Sequence, residues 1–448
     1  ANAVLGTGDS MQRRTPIDPE SSENMRRRRS ARARVCLAAV AGLLLAGCHA
    51  PDRPSVVFED APRSLNADFS RDPQVIVRAS GVIAVLAVET ASNSGEDLRL
   101  YLSPSGGDVF TRGPRVNEWE GSVRSHGEGT PLLLEGTGGK FYAVWLGRRG
   151  EGQRGNVIRV ARSDDFLRSF GPAVELGASS GRGSGPAFFD ATVSPDGALI
   201  VAWLGQGSDE TLPGSSHVLV SSSHDQARTF TPPVPAASDV CPCCRPGLAA
   251  DESGRWFLAW RNMDEEDVRD LAVAASSDRG ATWSSARTMP GPSWQIDGCP
   301  HSGPSMQVLN EDLFVTWYTE ATGQSRLYWS RSSDGGQTFS PASDIAGDIL
   351  DPNHPRLAEV DGRLFVVFQG RDPAAEGSWG SARPFIRAIG PGEDSPPVAV
   401  PHGEGSASYP VLSGLGAGRV VVAWTDASQA GSRVLAARGR TPEAPSAP

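Results

Sequence analysis

The sequence is poor in the features that build helical and membrane-spanning proteins. Its 448 residues include few long stretches with helical apolar spacing, whereas Gly and Pro are abundant, at 51 and 35 residues. The apolar run near the N-terminus is too short to span a bilayer comfortably. Glycine and proline at this density are typical of many short strands joined by turns, so the sequence predicts an all-β protein.

Basic residues are also in deficit. Lys and Arg total 42 against 52 Asp and Glu, which gives a formal net charge of −10. The deficit is larger in the chain that follows residues 1–47, because that segment contains more Arg than acidic residues. An acidic chain disfavours nucleic acid and anionic membrane surfaces as main partners, although it allows a local basic pocket.

The N-terminal segment has the pattern of an export signal. From Met25, four consecutive Arg precede the apolar run, and small residues lead to Cys48. The segment Leu45-Ala46-Gly47-Cys48 resembles the lipobox of bacterial lipoproteins, which implies cleavage before Cys48 and lipidation of its thiol. An uncleaved N-terminal anchor is the alternative. Because His49 rather than Asp follows Cys48, the same resemblance favours the outer membrane of a bacterial cell envelope.

Cysteine is scarce, with six residues in the whole chain. Cys36 and Cys48 belong to the N-terminal segment, and the other four lie in two short motifs: Cys241, Cys243 and Cys244 in CPCCRP, and Cys299 in CPHSGP. Export to an oxidising compartment makes disulfides the first expectation. A metal site that also includes His301 is the second, and such soft ligands suit copper or zinc. A redox-active thiol is the third.

The chain contains an internal repeat. Seven segments begin with a proline and continue through an apolar stretch, and their prolines stand 51 to 60 residues apart: Pro73, Pro131, Pro186, Pro246, Pro304, Pro355 and Pro410. A repeat of this length indicates a propeller or a solenoid. Each unit divides into four strands, named A to D in chain order, which make one blade of a β-propeller.

A second motif recurs in phase with these prolines. Good copies are SHDQARTF, SSDRGATW and SSDGGQTF, and degenerate copies are SPSGGDVF and SDDFLRSF. They resemble the Asp box of the sialidase superfamily, and this resemblance covers about residues 55–440. We expect the box Asp to bond turn amides, Gly280 and Gly336 to take positive φ, and the final aromatic residue to pack between blades. The boxes are therefore predicted to be structural.

The repeat count predicts seven blades, whereas the resemblance to sialidases implies six as the alternative. The last unit shows three strands, and Ser55–Phe58 is predicted to supply its missing outer strand. We expect residues 1–47 to be an extension and signal peptide, 48–54 a tether, 55–440 the propeller and 441–448 a disordered tail. The chain is expected to be a monomer.

Candidate site residues cluster on one predicted face. The D-to-A connections and B-to-C loops emerge there, and so do both cysteine motifs. Arg71 resembles the carboxylate-binding Arg of the sialidase R-I-P motif, although Asp72 would partly neutralise it, and Tyr409 resembles the nucleophilic Tyr of the last blade. Further candidates for substrate binding on this face are Arg245, Arg261, Tyr318, Glu320 and Arg356.

The sequence therefore predicts an exported lipoprotein whose propeller recognises an acidic glycan or another small anionic ligand at the channel mouth. Exo-sialidase-type glycoside hydrolysis is the candidate activity. The alternative is a non-catalytic propeller whose Cys/His cluster binds a metal or supports a partner-binding face.

Overall fold

The computed structural model describes residues 54–58, 60–65, 67–92, 95–150, 155–177, 185–206, 216–374 and 380–442. These residues form an all-β protein with one short 3₁₀ helix, Thr137–Gly139. Within these ranges, no helix is long and apolar enough to cross a membrane. The predictions for residues 1–47, the tether up to residue 53, lipidation at Cys48 and residues 443–448 lie outside the described residues.

The strands of the first half of the chain follow the predicted repeat. Two short strands come first, β1 (Val57–Phe58) and β2 (Arg63–Ser64). Blade 1 consists of β3 (Ser70–Val77), β4 (Ile83–Thr90), β5 (Glu96–Ser103) and β6 (Thr111–Arg115). Blade 2 consists of β7 (Val123–Arg124), β8 (Leu132–Glu135), β9 (Phe141–Arg148), β10 (Asn156–Ser163) and β11 (Val174–Leu176). Blade 3 consists of β12 (Phe189–Val193), β13 (Leu199–Gln206), β14 (Ser216–Ser223) and β15 (Val234–Ala237).

The second half continues in the same way. Blade 4 consists of β16 (Gly247–Ala250), β17 (Trp256–Arg261), β18 (Leu271–Ser276) and β19 (Arg287–Thr288). Blade 5 consists of β20 (Ser305–Leu309), β21 (Asp312–Thr319), β22 (Arg326–Ser332) and β23 (Ser343–Asp344). Blade 6 consists of β24 (Leu350–Val360), β25 (Arg363–Arg371), β26 (Arg383–Ile389) and β27 (Val398–Ala399). Blade 7 contains β28 (Ser406–Gly416), β29 (Arg419–Ser428) and β30 (Gly431–Arg440).

The seven sheets close into a ring. Within each blade, neighbouring strands pair antiparallel in chain order, and in blade 2 both β7 and β8 pair with β9. The innermost strand of every blade contacts the innermost strand of the next, and β28 of blade 7 contacts β3 of blade 1. The prediction of a propeller with seven blades is therefore confirmed, and the six-blade alternative does not hold.

Blade 7 takes its outer strand from the start of the described chain. Val57 of β1 pairs opposite Arg440, and Arg63 of β2 pairs opposite Ala436, both on β30. This confirms the prediction made for Ser55–Phe58. The pairing covers the outer edge of β30, which would otherwise present unpaired backbone groups to another chain.

The core lies between successive blades. Apolar side chains from facing sheets form separate buried clusters, and the Trp residues near the ends of second strands are among the largest fully buried side chains: Trp145, Trp203 and Trp424. The aromatic residue of each Asp box packs against the cluster shared with the preceding blade, as Trp283 does between blades 3 and 4 and Phe339 between blades 4 and 5. The boxes thus join blades.

The Asp boxes have the predicted local structure. Asp278 accepts hydrogen bonds from the backbone N–H of Thr282 at 2.9 Å and from its hydroxyl at 2.6 Å, and Asp334 repeats both bonds with Thr338 at the same distances. Gly280 and Gly336 have φ of 81° and 83°, which a Cβ would strain. These turns join third and fourth strands, so they lie on the face opposite the D-to-A connections. Their carboxylates are committed to the turns.

Candidate functional site

Three innermost strands have a bulge where they face the central channel. The residue before the repeat proline has a left-handed backbone in each: Asp72, His354 and Tyr409, with φ of 52°, 53° and 49°. Strand register shifts at all three positions. A residue before proline normally avoids such a backbone, and each strained residue costs on the order of 1–3 kcal/mol. Strain repeated at equivalent positions in blades 1, 6 and 7 marks this end of the channel as the candidate site.

The bulged residues belong to a group of polar side chains that we call the central ring. Its members come from six blades and interact through hydrogen bonds, ion pairs or electrostatic contact: Arg71, Asp72, Glu128, Asp190, Arg245, His354, Arg356 and Tyr409. The predicted residues Arg71, Arg245, Arg356 and Tyr409 are therefore brought together. His354 was predicted to lie on this face but was given no role, and Glu128 and Asp190 were not predicted as site residues.

Glu128 is the electrostatic centre of the ring. Its carboxylate lies 2.9 Å from Nε of Arg245, accepts a 2.9 Å hydrogen bond from the backbone N–H of Gly303, and bonds Nδ1 of His354. Both Glu128 and Arg245 have side chains that are only 2% exposed. Burial raises the pKa of Glu128, but the charge of Arg245 and the hydrogen bond from His354 outweigh it and lower that pKa to about 2. Glu128 is therefore ionised and accepts hydrogen bonds only.

The ionised carboxylate fixes the tautomer of His354. A carboxylate without a proton cannot donate, so Nδ1 of His354 must carry the proton that it shares with Glu128. In the neutral imidazole, Nε2 then holds a free lone pair. Glu128 acts here as a positioning residue for His354.

Arg356 has spare hydrogen-bonding capacity. Its guanidinium donates one long hydrogen bond, 3.4 Å, to the Thr130 hydroxyl, and within the described ranges no carboxylate lies within ion-pair distance of it. Burial and the neighbouring charge of Arg245 lower the pKa of Arg356 to about 10. Glu128 and Asp190 act on Arg356 only from beyond ion-pair distance. A half-buried arginine that remains charged and has no direct carboxylate partner is a ready partner for an anionic ligand.

Tyr409 lies beside His354. Their ring centroids are 4.6 Å apart at an angle of 46°, and the Tyr409 backbone N–H donates to Oε1 of Gln369 at 3.0 Å. The Tyr409 hydroxyl has no hydrogen-bond partner in the part of the chain that the structure describes. Burial, followed by the charges of Glu128 and Asp72, raises the pKa of Tyr409. The phenol therefore stays protonated at neutral pH and can donate.

Arg71 is more committed than Arg356. As predicted, it pairs with Asp72, and it also pairs with Glu96 and donates to the carbonyl of Ser125 at 2.9 Å. Burial raises the pKa of Asp72. Burial also raises the pKa of Asp190, which accepts a 2.9 Å hydrogen bond from the backbone N–H of Leu248. Arg71 thus has fewer free donors for a ligand than Arg356.

Arg261, Tyr318 and Glu320 form a different cluster. Arg261 is buried, stacks over Trp294 at 5.2 Å, and donates at 2.7 Å to the carbonyls of Arg269 and Tyr318. The Tyr318 hydroxyl bonds the carboxylate of Glu320. These side chains hold the loops after β17 and β21 in place. The structure does not bring these three predicted residues to the central ring.

The two cysteine motifs meet, as the proline register predicted. Cys241, Cys243 and Cys244 are buried and their sulfurs lie within 4.8 Å of one another, and Cys243 forms a second such group with Cys299 and His301. All four cysteines have free thiols, and Cys241 and Cys243 have sulfurs 3.3 Å apart. Hydrogen bonds from the thiols of Cys243 and Cys244 lower the pKa of Cys241. The site can bind a soft metal or form disulfides.

One open cavity, of about 650 Å³, lies outside the central ring. It is lined by residues of blades 3 and 4, among them Trp260, Asp264 and Glu265, and by no ring residue. Its acidic lining lacks the arginine that makes the ring suitable for an anion, so the ring is the better candidate site.

Comparison with known proteins identifies the repeat. The profile of a family described as "BNR repeat-like domain" matches residues 114–420, which is more than half of the chain. No curated protein matches the chain in sequence.

Solved structures share the architecture at low identity. An ulvan lyase, a polysaccharide lyase bound to a GlcA(1-4)Rha3S saccharide, is 11% identical with a TM-score of 0.50, over 84% of this chain and 95% of its own. A protein of unknown function from Dyadobacter fermentans is 14% identical with a TM-score of 0.49, over 72% of this chain and 97% of its own. A Hadza microbial sialidase is 18% identical with a TM-score of 0.47, over 69% of this chain and 65% of its own. At such identities, likeness shows the fold alone.

Proposed function

The chain belongs to the family of BNR repeat-like domains, and from this premise we propose that its central ring binds a carboxylated sugar of a glycan and cleaves the adjacent glycosidic bond. The observation that carries the proposal is Arg356, a charged guanidinium at the channel without a carboxylate partner among the described residues. A planar carboxylate matches the paired N–H groups of arginine. Arg356 is therefore the anchor.

The groups beside Arg356 supply a base and an acid. His354, held through Nδ1 by Glu128, presents the lone pair of Nε2, and Tyr409 presents a protonated hydroxyl. Acid–base catalysis requires two such groups within reach of one substrate. The 4.6 Å separation of their rings allows one sugar unit to meet both.

Hydrolysis with Tyr409 as nucleophile, as the resemblance to sialidases implies, needs a carboxylate free to accept the phenolic proton. The neighbouring carboxylates are engaged: Glu128 bonds Arg245 and His354, and Asp72 bonds Arg71 and accepts from the Ser125 hydroxyl at 2.7 Å. Hydrolysis at this site requires one of these bonds to break when substrate binds.

A second activity, β-elimination from a uronate, uses the ring as it stands. His354 takes the proton on C5, next to the carboxylate that Arg356 neutralises. A double bond forms between C4 and C5, the bond from C4 to the glycosidic oxygen breaks, and Tyr409 gives that oxygen its proton. The protonated state of Tyr409 favours this second activity.

The test is a binding and cleavage screen with matched ligands. Sialosides and uronate polysaccharides are compared with the same polysaccharides after carboxyl reduction, which removes the charge and keeps the backbone. Only the carboxylated forms should bind. Release of free sialic acid identifies hydrolysis, and ultraviolet absorbance of an unsaturated uronate identifies elimination.

Arg356→Gln provides the matched variant. It should weaken binding of the carboxylated ligand at least tenfold, whereas Arg363→Gln, which alters an arginine paired with Glu393 on the opposite face of blade 6, should not. Equal binding of carboxylated and reduced glycans would overturn the proposal. Binding without any cleavage would instead favour the non-catalytic propeller.

We further propose, on the sequence of residues 25–48, that the propeller is exported and lipid-anchored through Cys48 in a bacterial envelope, where glycans are accessible. The anchor would hold the propeller at the membrane surface.

A further inference from the structure

We propose that the two cysteine motifs form a binding site for monovalent copper, in which the Cys243 thiolate bridges two neighbouring ions. The site is separate from the central ring and does not depend on the glycan-cleaving function. Its ligands are Cys241, Cys243 and Cys244 for one ion, and Cys243, Cys299 and His301 for the other.

The geometry supports two adjacent three-ligand sites. In each set, the ligand atoms lie within 4.8 Å of one another, which is within reach of a single ion after small side-chain adjustments. Both sets contain Cys243. Thiolates select Cu(I), zinc and iron–sulfur clusters. Structural zinc takes four ligands, whereas each set found among the described residues has three, a number that suits Cu(I).

The backbone holds the CPCCRP motif in place before any ion binds. The Cys241 backbone N–H donates to the carbonyl of Arg261 at 2.8 Å, and Val240 forms an isolated β-bridge with Asn262. This attaches the CPCCRP motif to the end of β17. A site that is attached to a strand loses little conformational freedom when it binds an ion.

His301 is oriented as a ligand. Its Nδ1 lies 2.8 Å from the carbonyl oxygen of Cys299, and because a carbonyl can only accept, Nδ1 must carry the proton. Nε2 is then left to bind the ion. Metal-binding histidines commonly donate their other ring N–H to a backbone carbonyl in this way.

Buried arginines compensate the charge of the thiolates. Nη1 of Arg269 lies 3.5 Å from the Cys241 sulfur, and the guanidinium of Arg261 interacts electrostatically with Cys244. Two or three thiolates on one monovalent ion leave a net negative charge. The two cations beside the sulfurs lower the free energy of that anionic cluster in a buried place.

The experiment uses the purified chain with Cys36 and Cys48 replaced by Ser, so that the four proposed thiols are the ones available to copper, fully reduced and kept free of oxygen. Cu(I) is titrated in competition with a coloured Cu(I) chelator, and Zn(II) is titrated in parallel. We expect about two equivalents of Cu(I) to be taken from the chelator. The Cys243→Ser variant should bind neither ion, and the Cys299→Ser variant should bind only one. His301→Ala should lower the affinity for one Cu(I) ion, and the matched His402→Ala should change the affinity for neither ion.

X-ray absorption at the copper edge identifies the copper ligands in the protein whose proposed ligands are unaltered, so the test does not depend on variants that fail to fold. Sulfur must dominate the copper ligands. Copper bound only through nitrogen or oxygen, copper binding unchanged in Cys243→Ser, or one equivalent of zinc in preference to copper would each overturn the proposal. So would failure of the reduced protein to bind copper at all.

Discussion

Replacing Glu128 by Gln should destabilise the propeller strongly, but only at pH values at which Glu128 is ionised. The substitution keeps the size of the side chain and removes the charge that pairs with Arg245 and His354. The pKa of Glu128 falls from an ordinary 4.5 to about 2. This difference corresponds to about 3 kcal/mol of unfolding free energy at neutral pH. Breaking a buried pair by removing one partner typically costs about 3–5 kcal/mol, in agreement.

The pH dependence follows from the direction of the shift. The pKa is lower in the folded protein, so the stabilisation is complete above the unfolded value of 4.5 and is lost as the pH falls through about 2. The difference in unfolding free energy between wild type and Glu128→Gln should therefore shrink as the pH falls from 4.5 to about 2.

Equilibrium unfolding in urea at a series of pH values measures this difference, with the exposed Glu404→Gln as the matched control. A Glu128→Gln protein within about 1 kcal/mol of wild type at neutral pH, or a difference that does not shrink on acidification, would show that the buried Glu128 charge does not stabilise the propeller.

Three further substitutions test the proton donor, the contacts between blades and the lipid anchor. Tyr409→Phe should abolish glycan cleavage while unfolding free energy stays within about 1 kcal/mol of wild type, because the hydroxyl bonds nothing among the described residues; retained activity would exclude Tyr409 as the proton donor. Trp256→Ala should lower unfolding free energy by about 3–5 kcal/mol, since this buried side chain joins blades 3 and 4, whereas the half-exposed Trp119→Ala should lower it by less than about 1 kcal/mol. Cys48→Ser should move the protein from the membrane fraction to the soluble fraction with its folding intact, and unchanged fractionation would count against lipidation.

The fold followed from sequence because the repeat is built from local rules. The spacing of the prolines gave the blade count, and the Asp boxes combine a carboxylate, a left-handed Gly280 or its equivalent, and a terminal aromatic residue within eight positions. Even the outer strand at Ser55–Phe58 could be predicted, because a seventh blade with three strands leaves an edge to cover.

The site was only partly predictable, because it depends on distance from the channel axis. Residues after second strands share a face with residues before first strands, but they lie one strand farther from the axis, which separates Arg261 and Tyr318 from the ring. Glu128 has no motif around it. A charged residue close to a repeat proline, such as Glu128 before Pro131 or Asp190 within an apolar first strand, is the signal that would have found the missing carboxylates.

The role of Arg356 as the carboxylate anchor is best tested by a crystal structure of Tyr409→Phe bound to a carboxylated oligosaccharide that the wild-type protein cleaves. We expect the sugar carboxylate within hydrogen-bond distance of the Arg356 guanidinium, with the sugar ring against His354. A ligand bound away from the ring, or one whose carboxylate faces solvent or another arginine, would contradict it.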